Sequence, residues 1–523
     1  MVRKLIFLFS YVIFLTIGLF SQQYISNTES TKYLRENLEY LASDELEGRE
    51  ATTHGEDLAA EFLSNKLIEY GVHPYADDKT FFQTFEVDVR KVDTSSYFDI
   101  ISVDNSIIRM QVGKDFYLST TIMPSKDFND LESEIVFAGF GITAPDYEYD
   151  DYDGVDAEGK VVLIYRGAPM RDEESLFSNE DHRKFADPEF KIKNAAEHGA
   201  AGILVIPTEF AMKHWNWIKR NALSSDFSLI DNLTDRSESI PSAMLSEEAV
   251  SALLNKERYS YQELAEALED EEIPEWFLLS KKTRFSYNVR REIRSSKNII
   301  GMIVGTDPQL KNEFVTIGAH YDHEGIVNGE IYNGADDNAS GSVAILEAGR
   351  RLVELNNNKR SVLIIFHAAE EKGLLGSKYL TANSNFMEDV VVHINVDMVG
   401  REHVDTIYSV GSDKLSSELK EIVEEANEET VEFNFNYKFD DPNDPQRIYY
   451  RSDHYNYAKK GIPIVFFYDY MLEDYHKTTD DAEKINYIKI DKVSTLITEI
   501  ALRIANLGHK LAVDSEEVVE ESE

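Results

Sequence analysis

The polarity of the chain changes period several times. In LRENLEYLASDELEGRE, Leu34, Leu38 and Leu41 recur at helical spacing and share one face. EDLAAEFLSNKLIEYGV repeats that period and predicts a second amphipathic helix, stopped by Gly71 and Pro74. Residues 81–123 read as β-strands. IVFAGFGI (135–142) and VVLIYRGAP are apolar runs of strand length, separated by the charged loop DYEYDDYDGVDAEGK. FKIKNAAEHGAAGILVIP then predicts a helix, a Gly turn and another buried strand. This small α/β stretch ends near IPSAMLS (239–246), and 247–280 reads as helical and acidic.

From residue 284 onward strands and helices alternate cleanly. SKNIIGMIVG, EFVTIGAHYD, SVLIIFHAAEE, VVVHINVDMVG, DTIYSVG and GIPIVFFYDY are apolar runs rich in β-branched and aromatic residues. Helical periods such as SGSVAILEAGRRLVEL and KLSSELKEIVEEANEE lie between them. The pattern predicts an α/β fold: a doubly wound, mostly parallel sheet with helices on both faces, plus a small inserted α/β domain. The α/β stretch that begins near residue 130 reads as a small unit of its own, and 251–283 as a connector. An acidic disordered tail is expected over 511–523.

Three of these buried strands end in ionisable residues. EFVTIGA leads to His320, SVLIIFHAA to Glu370 and Glu371, and VVVHINV to Asp397. In doubly wound sheets, sites form beyond the carboxyl ends of strands. Each residue alone has a bland reading, His320 as a hydrogen-bonded structural histidine and NGADDNASG as an Asx turn with a helix cap. Together, His320, Asp337, Glu371, Asp397 and His476 offer two imidazoles and three carboxylates. That donor set suits a pair of borderline divalent metals, with Glu370 left over as a general base. Asp322, two residues past His320, suits the orientation of an imidazole. Other chemistries lack their motifs. His323-Glu324 opens an HExxH-like string, but position 327 is Val, and there is no GxSxG elbow, P-loop or complete GxGxxG.

Charge and composition narrow the partners. The 523 residues carry 53 Lys+Arg against 96 Asp+Glu, a formal net charge of −43, which disfavours nucleic acid and anionic membranes. With no cysteine, disulfides, thiolate zinc and a cysteine nucleophile are excluded. Arg3 and Lys4 followed by an apolar run to Phe20 predict a signal peptide over residues 1–21, hence a secreted or periplasmic protein, with an uncleaved membrane anchor as the alternative.

GAHYD, NGADDNASG, HAAEEKGLLGS, NVDMVG and DYHKTTDD, in that order, resemble the zinc aminopeptidase and glutamate carboxypeptidase family with co-catalytic zinc. The resemblance covers 30–125 and 284–510, a catalytic domain in two segments, and residues 130–250 resemble the protease-associated (PA) domain that many members carry as an insertion. The resemblance implies two Zn2+ per chain: His320 and Asp397 on one, Glu371 and His476 on the other, and Asp337, rather than Asp336, bridging them. It implies Asp322 as support for His320, Glu370 as the general acid/base acting on a metal-bridging hydroxide, and Tyr475 as an aid to the oxyanion. Asp453 and His454 match the family and are expected near the pocket, off the metals. The implied activity is removal of N-terminal residues from peptide substrates. A carboxypeptidase for acidic C-termini, a glutaminyl cyclase and a non-catalytic receptor-like protein are the alternatives. Arg451 is the one arginine placed near the pocket to serve the carboxypeptidase reading.

Overall fold

The computed structural model describes residues 28–118, 128–171, 174–215, 218, 225–230, 240–269, 273–401, 403–442, 444–470 and 473–514. The expected signal peptide lies outside them. The chain divides into two compact units. One comprises residues up to Gln83, Asn298–Glu370 and Leu380 onward; the other comprises Thr84–Lys297 with Glu371–Tyr379.

The first unit is built on a mixed sheet with a parallel centre. Phe314–His320 runs parallel to Ser361–His367 on one side and to Val390–Asp397 on the other. Val390–Asp397 runs parallel in turn to Ile464–Tyr468. These strands are buried along their whole length, which explains their unbroken apolar runs. Antiparallel partners flank the parallel core: Ile299–Ile303 beside Ser361–His367, and Thr406–Val410 beside Ile464–Tyr468. Helices cover both faces. Ile364 meets Gly349 of the helix Gly341–Leu355. His367, on the opposite face of the same strand, reaches Tyr457 of the short helix His454–Ala458. The helix Gly341–Leu355 also packs with Thr28–Leu41, His54–Tyr70 and Tyr487–Asn506.

The second unit carries an eight-stranded sheet. Phe128–Phe137, Val161–Tyr165, Gly202–Ile206 and Ser242–Leu245 are parallel neighbours. Phe277–Tyr287, Tyr97–Ile101 and Ile107–Gln111 continue it antiparallel on one side, and Phe116–Leu118 closes the other. Alternate residues of the central strands feed two cores. Phe137, Leu163, Tyr165 and Leu204 belong to one, and Val136, Val162, Ile164 and Ile203 to the other.

Three boundaries differ from expectation. Residues 84–118 and 284–297 fall in the second unit, because Tyr97–Ile101 pairs with Phe277–Tyr287 and both belong to its sheet. The stretch 251–283 is not a connector. Leu253, Leu254, Leu264 and Phe277 are core residues, and only the outer faces of its helices are acidic. Of the expected tail, residues 511–514 are held: Leu511 is buried, and Asp514 accepts a hydrogen bond from Ser417 N (3.0 Å). Residues 515–523 lie outside the described ones. Among the described residues no helix is long and apolar enough to cross a membrane.

Candidate active site

The parallel register brings the strand ends together. His320 pairs with His367 at the last rung, and Asp397 ends the neighbouring strand opposite Tyr468. Ala369 then takes a left-handed φ of 53° and turns the chain into Glu370. Met398, directly after Asp397, and His476 itself are also left-handed, at 50° and 51°. Such conformations cost energy for a residue with a Cβ and concentrate at functional positions.

His320 is buried, with Nε2 3.1 Å from Asp397 Oδ1 and 3.4 Å from Asp337 Oδ1. Glu370 Oε2 lies 4.0 Å from the same nitrogen. The other ring nitrogen, Nδ1, faces the backbone carbonyl of Asp322 at 3.2 Å rather than its carboxylate at 3.9 Å. The Asp322 carboxylate instead accepts from Glu370 N (3.1 Å). Asp322 therefore ties the His320 loop to the Glu370 loop. Burial opposes a charge on His320, but Asp397, Glu370 and Asp337 outweigh it and lift the imidazole well above its ordinary pKa. The cause is a concentration of anions that calls for a cation.

Asp337 occupies the centre. Its Oδ1 faces His320, while its Oδ2 lies 3.3 Å from His476 Nε2 and 3.8 Å from His323 Nδ1. The loop holding it, Ala335–Ser340, contains a cis peptide between Asp337 and Asn338. The Asp480 carboxylate receives the backbone N–H groups of Asp336 (2.9 Å) and Asp337 (3.1 Å), and Arg401 Nη2 donates to it (2.7 Å). Asp336 turns the other way and accepts from Gly400 N (2.7 Å). Burial first, then Asp480, pushes its carboxyl well above the usual range.

Three groups have ligand atoms within 4.8 Å of one another: His320, Asp337 and Asp397; His323, Asp337 and Glu371; and Glu324, Glu371 and His476. The five expected ligands are all in these groups, and Asp337 is shared by two of them. Glu324 also bonds His476 across Nδ1 (3.1 Å), and the Tyr475 ring stacks on His476 at 3.9 Å. The imidazole and carboxylate donors, with Asp337 presenting one oxygen to each side, suit a pair of zinc ions.

Several neighbours were missed from sequence. The sequence offers His323 and Glu324 only as an incomplete HExxH motif, and Asp480 only as one of three acids in DYHKTTDD. Arg49 had no signal at all. Its buried guanidinium donates to the carbonyls of Tyr321 (2.8 Å), Asn333 (2.7 Å) and Gly334 (2.9 Å), bracing the loops that carry His320 and Asp337. Ser452 donates to Asp397 Oδ2 (2.8 Å). Asp453 and His454 are buried beneath the site, Asp453 3.3 Å from His367 and His454 Nε2 2.7 Å from the Tyr449 carbonyl. Arg451 is exposed.

Comparisons with known proteins agree with this geometry. Residues 298–501 match the model of peptidase family M28, and residues 131–253 match the PA domain. A probable leucine aminopeptidase of Trichophyton verrucosum is 28% identical over 212 residues, 38% of this chain and 56% of that protein. Leucine aminopeptidase 1 of Sclerotinia sclerotiorum is 31% identical over 212 residues, 36% of this chain and 51% of its own length. The chain thus spans about half the length of the curated relatives it matches. The solved aminopeptidase of Aneurinibacillus sp. strain AM-1 superposes with a TM-score of 0.60 at 19% identity, covering 92% of this chain and 96% of that one. A zinc aminopeptidase of Bacillus subtilis does so with a TM-score of 0.53 at 20% identity, covering 93% and 98%. At such identities these two likenesses show the fold alone. Residues 298–501 of this chain are thus similar to peptidase family M28 and residues 131–253 to the PA domain, and the candidate ligand residues gather at the ends of the central parallel strands.

Proposed function

We propose that the chain is an exported aminopeptidase that holds two zinc ions and removes N-terminal residues from peptides. The observation that carries the reading is the placement of Asp337, whose two carboxylate oxygens face His320 on one side and His476 on the other. In this reading His320 and Asp397 would hold one ion and Glu371 and His476 the other, with Asp337 placed to serve both. Bound zinc supplies Lewis acidity to the scissile carbonyl and lowers the pKa of a water.

The chain's own residues do the rest. Glu370 takes the proton of the attacking water and delivers it to the leaving amine, base first and acid second. Asp322 keeps Glu370 and His320 in register through the backbone contacts described above. Tyr475, stacked on His476, stands beside the group to which the oxyanion would be drawn. An acidic surround favours a substrate that presents a free ammonium over one that presents carboxylates, and this is what selects the aminopeptidase reading. Export rests on the basic and apolar pattern of residues 1–21.

The test is a comparison of free and N-blocked peptides, with aminoacyl-nitroanilides as reporters, before and after chelation. Cleavage of free N-termini only, abolished by chelator and restored by zinc, supports the proposal. Cleavage of N-blocked peptides from the carboxyl end overturns it.

A further inference from the structure

In the second unit a cavity of about 170 Å3 opens between the sheet and the helix Pro188–Glu197. Strand register builds its floor. Ile164, Val205, Met244 and Tyr117 sit opposite one another across four neighbouring strands, so their side chains share one face. Ile203 and Ser242, paired two positions earlier, extend the same face. The helix supplies Pro188, Ile192 and Lys191 as the other wall.

Two cations break this apolar lining. Lys191 is buried, and its Nζ donates to the carbonyl of Tyr165 (3.0 Å) and to that of Gly167. An ammonium has three N–H donors, of which these bonds use two; its Nζ also lies 5.4 Å from the Phe140 ring, and the residue lines the cavity. Arg166 lies two positions beyond Ile164, exposed at the mouth, with Nη1 3.7 Å from Met244 Sδ. The nearby acid Asp151 is committed elsewhere, accepting from Phe140 N (3.0 Å), Ile142 N (3.0 Å) and the Tyr149 hydroxyl (2.9 Å). A buried lysine at the wall of an apolar cavity, with an arginine at its mouth, places two cationic donors where a bound anion can meet both.

We propose that this cavity binds a small branched aliphatic carboxylate, its alkyl end against Ile164, Ile203, Val205 and Met244 and its carboxylate against Lys191 and Arg166. At about 170 Å3 the cavity is on the scale of those, of about 150 Å3, that take up a benzene-sized group, and its mouth at Arg166 leaves the polar end of a longer acid outside. The same chemistry is found in a free short-chain acid and in the C-terminal residue of a peptide. The site lies wholly among residues 117–244, and neither the zinc ligands nor the proposed peptidase activity enters the argument.

The experiment uses the full chain labelled with 13C-methyl methionine, the Met244 methyl signal being assigned with Met244→Leu. Titration with 3-methylbutanoate should shift that signal saturably, and the uncharged 3-methylbutanol should bind about tenfold more weakly or worse. Lys191→Met and Arg166→Gln should each weaken the acid by about tenfold. Arg166 is on the surface, so its variant keeps the test decisive if Lys191→Met does not fold. N-acetylleucine is the peptide arm: tighter binding than the free acid assigns the site to a peptide C-terminus, weaker binding to the free acid. An unmoved Met244 signal, equal binding of acid and alcohol, or wild-type affinity in Arg166→Gln would overturn the proposal.

Discussion

Asp336 and Asp337 are neighbours with opposite chemistry. Asp336 accepts from Gly400 N, and burial beside Asp480 raises its pKa; Asp337 faces two imidazoles. Asp336→Asn keeps the shape and an oxygen to accept from Gly400 N, and is expected to cost about 1 kcal/mol or less in stability, with activity close to wild type. Asp337→Asn is expected to lower zinc affinity by more than about 100-fold, beyond the usual cost of losing an outer-shell partner. Metal content and nitroanilide rates of the two variants check this, and equal effects would refute the assignment. Lys191 gives a pH test. Burial, partly offset by Asp151, pulls its ammonium down to about 7 from an ordinary 10.5. Between those values the unfolded chain holds a proton that the folded chain has released, so stability rises with pH across that window. The thermal midpoint of wild type relative to Lys191→Met should climb from neutral to alkaline pH. A flat difference would contradict the burial argument.

At the scale of elements, the strand Phe314–His320 must pass between two buried histidines. A Cβ on Gly318 would lie 2.6 Å from His393 Cε1 and 2.8 Å from His367 Cε1. Both rings are fixed in turn, His367 by the Tyr457 hydroxyl (3.0 Å) and His393 by Thr316 (2.9 Å) and by stacking on Tyr457 at 3.7 Å. Gly318→Ala is expected to cost about 1–3 kcal/mol and to displace His320, lowering both thermal midpoint and turnover. An unchanged midpoint would mean that the rings can move aside. The elements that deliver the site were readable because apolar strands ending in His320, Glu370 and Asp397 leave a local trace. The braces were not. Arg49 reaches Tyr321 over 272 positions and Asp480 reaches Asp337 over 143, and no periodicity records such pairs. The stretch 251–283 was misread for a related reason: its acidic faces dominate the composition, while Leu253, Leu254 and Leu264 are inside.

At the scale of the molecule, the net charge of −43 surrounds a site that would receive an ammonium. Long-range attraction of a cationic substrate weakens as the Debye length shrinks from about 30 Å at 0.01 M salt to about 8 Å at 0.15 M. The kcat/KM for a lysine-terminated dipeptide should fall over that range, and more than for a neutral nitroanilide. An equal salt response would remove steering from the reading. His320, Asp337, Asp397 and His476 fall in the first unit and Glu371 in the second, and the edges of the two units follow strand pairing, which composition does not reveal. The central claim is that one carboxylate joins two metal ions. It is tested most directly by calorimetric titration of the demetallated chain with zinc. Two equivalents bound by wild type, with Asp337→Asn impaired at both steps, is the result expected. A single equivalent in wild type, or an Asp337→Asn variant that still takes up two with wild-type affinity, would contradict it.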